Sequence, residues 1–235
     1  MKSKSSFYDN RVVYKPWGYE YTIYRNLNHL SVTFLKINYN KSTSLHCHPN
    51  KKTGFIVIGG KALIQLGLWK LHSKYYNAPS KLMIRTGLFH SIKAASKNGV
   101  FALEFESPVD KNDLVRFKDD YGRETKPYEG KKFTKKIKSN FVKFKKPKFG
   151  KNQAYKINKV EISLEVHKNF KKLVNKKMSI IFAILDGKII DKQGKNVLSY
   201  GDIIKTGTLK KLSEAFKIKK YLTVLRVSKI QINKN

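Results

Sequence analysis

His46 and His48 stand two residues apart in the run Ser44-Leu45-His46-Cys47-His48. In an extended strand, residues two apart leave the same face, so both imidazoles can close on one ligand. Neutral imidazole is a preferred donor for divalent first-row metals, and this spacing therefore reads as a metal site. Behind it come a turn-rich segment with Pro49, Asn50 and Gly54, an apolar run from Phe55 to Ile58, Gly59-Gly60, and a second apolar run from Ala62 to Ile64. Strand, Gly-Gly turn and strand predict a hairpin facing a barrel interior, with the histidines entering its first strand.

The flanking elements follow from alternation and turn chemistry. Val12 to Tyr24 mixes β-branched and aromatic residues around Pro16-Trp17-Gly18, a turn between strands with Trp17 buried. Leu30 to Tyr39 alternates as a strand and ends at Asn38-Tyr39-Asn40, where Asn40 can take a positive φ. Trp69 to Pro79, which contains His72, reads as a loop. From Val100 to Phe105 alternation sets Ala102, Glu104 and Glu106 on one face, and Phe101, Leu103 and Phe105 on the other. One face of that strand is charged.

The order Lys15-Pro16-Trp17-Gly18, then Ser44 to His48, Ile56 to Gly60, His90, and Asp113-Leu114-Val115-Arg116 with Asp119-Asp120-Tyr121-Gly122-Arg123 resembles the cupin domain of type II mannose-6-phosphate isomerases. Residues 12–124 carry the likeness, and the closing Asp113 to Arg123 run is its most specific part. The resemblance implies a jelly-roll barrel in which His90 returns to the metal beside His46 and His48. The implied cofactor is a divalent metal, zinc foremost, with iron or manganese as alternatives. The implied reaction is aldose–ketose interconversion of a phosphorylated sugar, or a related isomerisation or epimerisation in polysaccharide precursor synthesis. Glu104 is then the candidate base, and Arg116, Arg123 and Lys52 are candidates for phosphate or sugar oxygens. Arg116 and Arg123 could equally hold Asp113, Asp119 and Asp120 in a structural network. The chain departs from the family in having His46 for a glutamine and Thr53 where a glutamate ligand is expected. Three histidines without a carboxylate also suit an iron-dependent oxygenase, and a third reading is a non-catalytic sugar-binding or regulatory protein.

The 235 residues allow one large core or two small ones. No apolar run has membrane-span length, the first residues lack a signal-peptide core, and the single cysteine, Cys47, cannot form an internal disulfide, so a cytoplasmic protein is expected. The formal charge of +34 is carried almost wholly by lysine, with arginine only at 11, 25, 85, 116, 123 and 226. Nucleic-acid readers lean on arginine's bidentate fork, so the excess reads as a solvated lysine surface, and the expected partner is a small anionic sugar. Cupins commonly pair, which makes a homodimer the expected assembly.

Residues 1–125 form the first expected domain and 126–152 a lysine-rich linker, with Phe133, Phe141, Phe144 and Phe149 to pin it. Residues 153–235 repeat a cupin rhythm: a β run from Met178 to Leu185, a turn at Asp186-Gly187, a return strand to Asp191, a turn at Gln193-Gly194-Lys195, and a closing strand from Tyr221 to Val227. The fold class expected is all-β, a bicupin of two jelly-roll barrels. The second barrel is expected to lack metal ligands, because the position matching His48 falls on Asn175.

Overall fold

The computed structural model describes residues 10–124, 130–174 and 179–230, and the chain divides into two compact units, Met1–Lys143 and Phe144–Asn235. In the first unit the strands run in the order β1 (Arg11–Lys15), β2 (Gly18–Asn26), β3 (Leu30–Ile37), β4 (Leu45–Cys47), β5 (Lys52–Gly59) and β6 (Lys61–Leu66). Then follow β7 (Ser73–Asn77), β8 (Ser80–Ile84), β9 (His90–Ala94), β10 (Val100–Ser107), β11 (Val115–Lys118) and β12 (Thr134–Lys136). They build a seven-stranded sheet ordered β12-β1-β2-β3-β10-β5-β8 and a five-stranded sheet ordered β11-β4-β9-β6-β7. Every pairing within them is antiparallel.

The two sheets face each other across one core. Trp17, Leu35, Phe55, Val57 and Ala102 from the first meet Ala62, Ile64, Ile92 and Ala94 from the second, all at most 4% exposed. Period-two alternation places these side chains inward, and their burial from water is the main favourable term for closing the sandwich. As expected, Trp17 is buried, Asn40 takes a φ of 58°, and β10 carries Glu104 and Glu106 at positions two apart.

The Gly59-Gly60 turn does not make a hydrogen-bonded hairpin. β5 pairs with β10 and β8, whereas β6 pairs with β7 and β9, so the chain crosses from one sheet to the other at that corner. Gly60 has a φ of 79°, and a Cβ there would lie 2.2 Å from the Gly99 carbonyl oxygen. Only glycine fits so close an approach of two backbones. The segment from Trp69 to Pro79 is not all loop, since Ser73–Asn77 pairs with β6 as its edge strand.

The expected linker is divided. Residues 125–129 lie outside the described residues, Thr134–Lys136 pairs with β1, and the Phe141 ring meets Tyr21 edge-on at 4.9 Å. Phe144 belongs to the second unit, where its ring meets Tyr155 at 5.2 Å.

The second unit has β13 (Gln153–Ile157), β14 (Val160–His167), β15 (Ile181–Ile190), β16 (Ile203–Lys205) and β17 (Lys217–Lys229), with helices α1 (Lys171–Val174) and α2 (Thr206–Ala215). Among the described residues these strands form one five-stranded antiparallel sheet, β13-β14-β17-β15-β16, so the second jelly roll of the expected bicupin is not formed. Helix covers the face where a second sheet would pack: Leu173 and Leu209 sit with Phe182, Ile184, Leu222 and Val224 in one apolar cluster. Leu209 and Leu212, three apart in a run of good helix formers, are the signal for α2. The expected turn at Asp186-Gly187 is instead a bulged point inside β15, where Gly187 (φ 89°) lets the strand stay paired with β17. Asn175 lies outside the described residues.

Two positive-φ glycines test this packing. Gly60→Ala forces its methyl into the Gly99 carbonyl and is expected to cost at least ~3 kcal/mol in urea unfolding. Gly87→Ala, with φ 73° and nothing within 4 Å, is expected to cost only about 1 kcal/mol.

Candidate metal centre

Strand register builds the site. His46 on β4 lies directly across from His90 on β9 and from Arg116 on β11, so these three side chains form one row across the five-stranded sheet. His48 follows at the end of β4. The three rings gather with centroids 4.6 to 5.5 Å apart, and one nitrogen from each lies within 4.8 Å of the others. The five-stranded sheet thus brings together three histidines that are up to 44 positions apart in sequence.

Each ring spends its Nδ1 on a backbone carbonyl. His46 Nδ1 lies 2.8 Å from the Ser44 oxygen, His48 Nδ1 2.6 Å from that of Asp113, and His90 Nδ1 3.0 Å from that of Leu88. A carbonyl only accepts, so Nδ1 carries the proton and Nε2 is left with the lone pair. The Nε2 atoms of His48 and His90 are buried without a hydrogen-bond partner. Burial also pulls all three imidazoles below their ordinary pKa, His90 to about 4. Three neutral, oriented lone pairs, two of them buried without any partner, are what a divalent first-row metal requires, and a carbonyl holding the far nitrogen is the usual support for a ligating histidine. The donor set fits such an ion.

The opposite wall comes from the seven-stranded sheet. Glu104 and Glu106 project from β10, flanked in register by Thr33 on β3 and Thr53 on β5. Glu106 is bound by Lys51 Nζ, Ser31 Oγ and Lys111 Nζ, and the two lysines hold it ionised, well below the usual carboxylate pKa despite burial. Glu104 has the opposite fate. Desolvation first, then the neighbouring charges of Glu106 and Glu20, push it up to about 8, so it holds its proton at neutral pH. Two carboxyls two residues apart therefore stand in different protonation states, the usual mark of acid–base division of labour. The Thr33 hydroxyl beside Glu104 and the Thr53 hydroxyl beside Glu106 are buried without partners.

The positions proposed from sequence fall as follows. His46, His48, His90, Glu104, Arg116 and Arg123 all line one pocket. Arg123 gives its fork to Asp119, with Nε 2.9 Å from Oδ2 and Nη2 2.6 Å from Oδ1, and Arg116 donates to the Arg123 carbonyl at 3.1 Å. Lys52 is half-buried at the start of β5 and does not line the pocket; its neighbour Lys51, 2% exposed, does. Parity was the available signal, since Lys51 is in step with Thr53 and Phe55, whose side chains face inward. Asp113 is held by the loop after His48 rather than by the arginines. Its carboxylate accepts from the backbone N–H groups of Asn50 and Lys51 at 3.0 and 2.7 Å, while its carbonyl orients His48. His72, in a short 3-10 turn, is not part of the triad.

No family model and no curated protein matches the sequence. Among solved structures the chain is similar to KdgF from Halomonas sp., over 42% of its length and 86% of that chain, at 12% identity and a TM-score of 0.37. It is also similar to the capsular polysaccharide assembling protein CapF from Staphylococcus aureus, over 46% of its length and 34% of that chain, at 15% identity and a TM-score of 0.41. A third is a protein with a double-stranded β-helix domain from Klebsiella pneumoniae, over 49% of this chain and 85% of that one, at 13% identity and a TM-score of 0.38. The class of the first unit rests on its own geometry: two facing antiparallel sheets, a His-x-His strand and a third histidine on the neighbouring strand. It is an antiparallel two-sheet barrel with a buried three-histidine cluster. No helix among the described residues is long and apolar enough to cross a membrane.

Two measurements follow. Metal analysis of protein reconstituted with zinc or cobalt is expected to find one ion per chain in the wild type and in His72→Ala, and none in His48→Ala. The second concerns unfolding free energy in chelator. Glu104 binds its proton more tightly folded than unfolded, so its contribution is present below its ordinary pKa and is lost as pH rises towards about 8. The depressed histidines work in the opposite sense, but only below about pH 6.5. Stability of the metal-free protein should therefore fall between about pH 6.5 and 8.5, and Glu104→Gln should flatten that limb.

Proposed function

We propose that the first unit is a metal-dependent isomerase or epimerase that moves a proton between neighbouring carbons of a small anionic sugar, with aldose–ketose interconversion of a phosphorylated sugar as the reaction. One observation carries this reading: a proton-holding Glu104 lines the same pocket as three imidazoles whose ligating nitrogens converge.

His46, His48 and His90 would hold the metal, zinc foremost, which when bound polarises the carbonyl and hydroxyl oxygens of the reacting carbons. Glu104, as carboxylate, takes the proton from one carbon and returns it to the next. A pKa near the working pH suits a group that must both accept and release. Lys51 and Lys111 outweigh Glu106 by one charge, and Arg116 adds another to the wall, so the pocket favours an anionic guest. Its free space is about 80 Å³, which admits the reacting end of a small molecule. The absence of a carboxylate from the donor set favours a second reading, iron-dependent oxygen chemistry on a small molecule.

The test is turnover of mannose 6-phosphate to fructose 6-phosphate by zinc-loaded protein, with a panel of aldose phosphates beside it. Activity is expected to rise with pH as Glu104 ionises, and Glu104→Gln should lower kcat at least ~100-fold with metal content unchanged. Absence of turnover with zinc, together with oxygen uptake by the iron-loaded protein, would favour the second reading.

A further inference from the structure

A second cavity lies on the outer face of the five-stranded sheet, away from the histidines, and at about 690 Å³ it is far larger than the metal pocket. Its surface is ordered by register. Ser73 on β7, Gln65 on β6 and Ser91 on β9 are successive cross-strand partners, and so are Tyr75, Leu63 and Lys93 one pair along. The first row offers two hydroxyls and an amide. Gln65 donates through Nε2 to the carbonyls of Gly67 and Leu68 at 3.0 and 3.1 Å, which fixes the amide plane. Beside these rows stands Phe117, 57% exposed and braced edge-on by Phe89 at 5.8 Å, so its ring is held in place while remaining open to the cavity. Lys41, Lys70, Lys93 and Lys118 line the cavity against a single acid, Asp120.

We propose that this groove binds an anionic oligosaccharide. The fixed ring is a platform for the apolar face of a pyranose, the Ser-Gln-Ser row matches a hydroxyl-rich ligand, and the four lysines require negative charge on it. A second copy of this chain is a poor occupant, because it would bring a net charge of +34 to a lysine-lined face. Single-stranded nucleic acid shares the charge but stacks on several rings in succession, whereas the cavity is lined by the rings of Phe117 and Tyr121, and Tyr75 at the end of the second row has the Lys61 ammonium over its ring at 4.1 Å.

The groove is tested by titrating the full chain with a hyaluronan hexasaccharide, with uncharged chitohexaose and with an oligothymidylate, at about 0.15 M salt so that loose lysine attraction is screened. Hyaluronan hexasaccharide is expected to bind saturably and chitohexaose not to bind. Phe117→Ala and the pair Lys93→Gln with Lys118→Gln should each weaken binding about tenfold or more. The pair Lys135→Gln with Lys136→Gln, on β12, and His48→Ala should leave it unchanged. All the groove substitutions are at surface positions, and circular dichroism checks that they fold. Equal binding by wild type and groove variants, or tighter binding of oligothymidylate lost in those same variants, would overturn the proposal. Neither result depends on the metal or on isomerase turnover.

Discussion

The structure depends on three hydrogen bonds in which imidazole Nδ1–H meets a backbone carbonyl, at Ser44, Leu88 and Asp113. A buried histidine free to flip or protonate would present either nitrogen, or a charge, to its neighbours. Here the backbone settles the question for each ring separately, and the same carbonyls that fix the tautomer also aim the remaining lone pair. Two of those carbonyls lie two residues from their own histidines, so local chain geometry suffices. The third comes from Asp113, whose carboxylate at the same time ties down the loop after His48. One residue therefore positions a ligand through its main chain and the ligand's loop through its side chain.

Convergent unpaired acceptors are costly to bury, and the barrel offsets them by dividing its interior. The same strands contribute to both halves. β10 gives Val100 and Ala102 to the apolar core and Glu104 and Glu106 to the pocket, while β3 gives Leu35 and Ile37 to the core and Thr33 to the pocket wall. Apolar burial at one end supplies the stability that permits a polar, partly unsatisfied cluster at the other. Within that cluster, proximity alone does not decide protonation. Glu106 has two lysines within salt-bridge distance and stays charged; Glu104 has two carboxylates as neighbours and does not.

Much of the first unit was legible in the sequence because its signals are local or period-two. His46 and His48 share a face by spacing, Glu104 and Glu106 by alternation, and Asn40 takes the turn conformation its side chain tolerates. Other features needed the third dimension. His90 became a ligand candidate through the family likeness, since nothing in its own neighbourhood sets it apart. The corner at Gly60 looks like a hairpin to any local reading, and only the partners of β5 and β6 show the crossing between sheets. Lys51, not Lys52, is in step with Thr53 and Phe55, a parity that shows only when the strand is extended back through the turn. In the second unit the β rhythm was real, but one apolar face per strand does not say what covers it. There a helix does so, and Leu209 and Leu212 carried that information in a segment read for its turns.

Thr53 is where this chain parts from the family it resembles, and charge gives the consequence. A carboxylate ligand cancels one charge of a divalent ion, whereas imidazole cancels none, so three neutral nitrogens leave the ion its full double charge. The carboxylate nearest in register to Thr53 is Glu106, directly across on β10, but Lys51 and Lys111 already neutralise it. The centre is thus more positive than one with a glutamate ligand would be. Such a centre would hold an ion less firmly, would draw an anionic oxygen more strongly, and would make the neutral acid at Glu104 easier to ionise. Threonine in place of a charged ligand would thus trade firm retention of a metal for attraction towards an anionic guest, in the same sense as the positive charge that Lys51, Lys111 and Arg116 bring to the pocket wall.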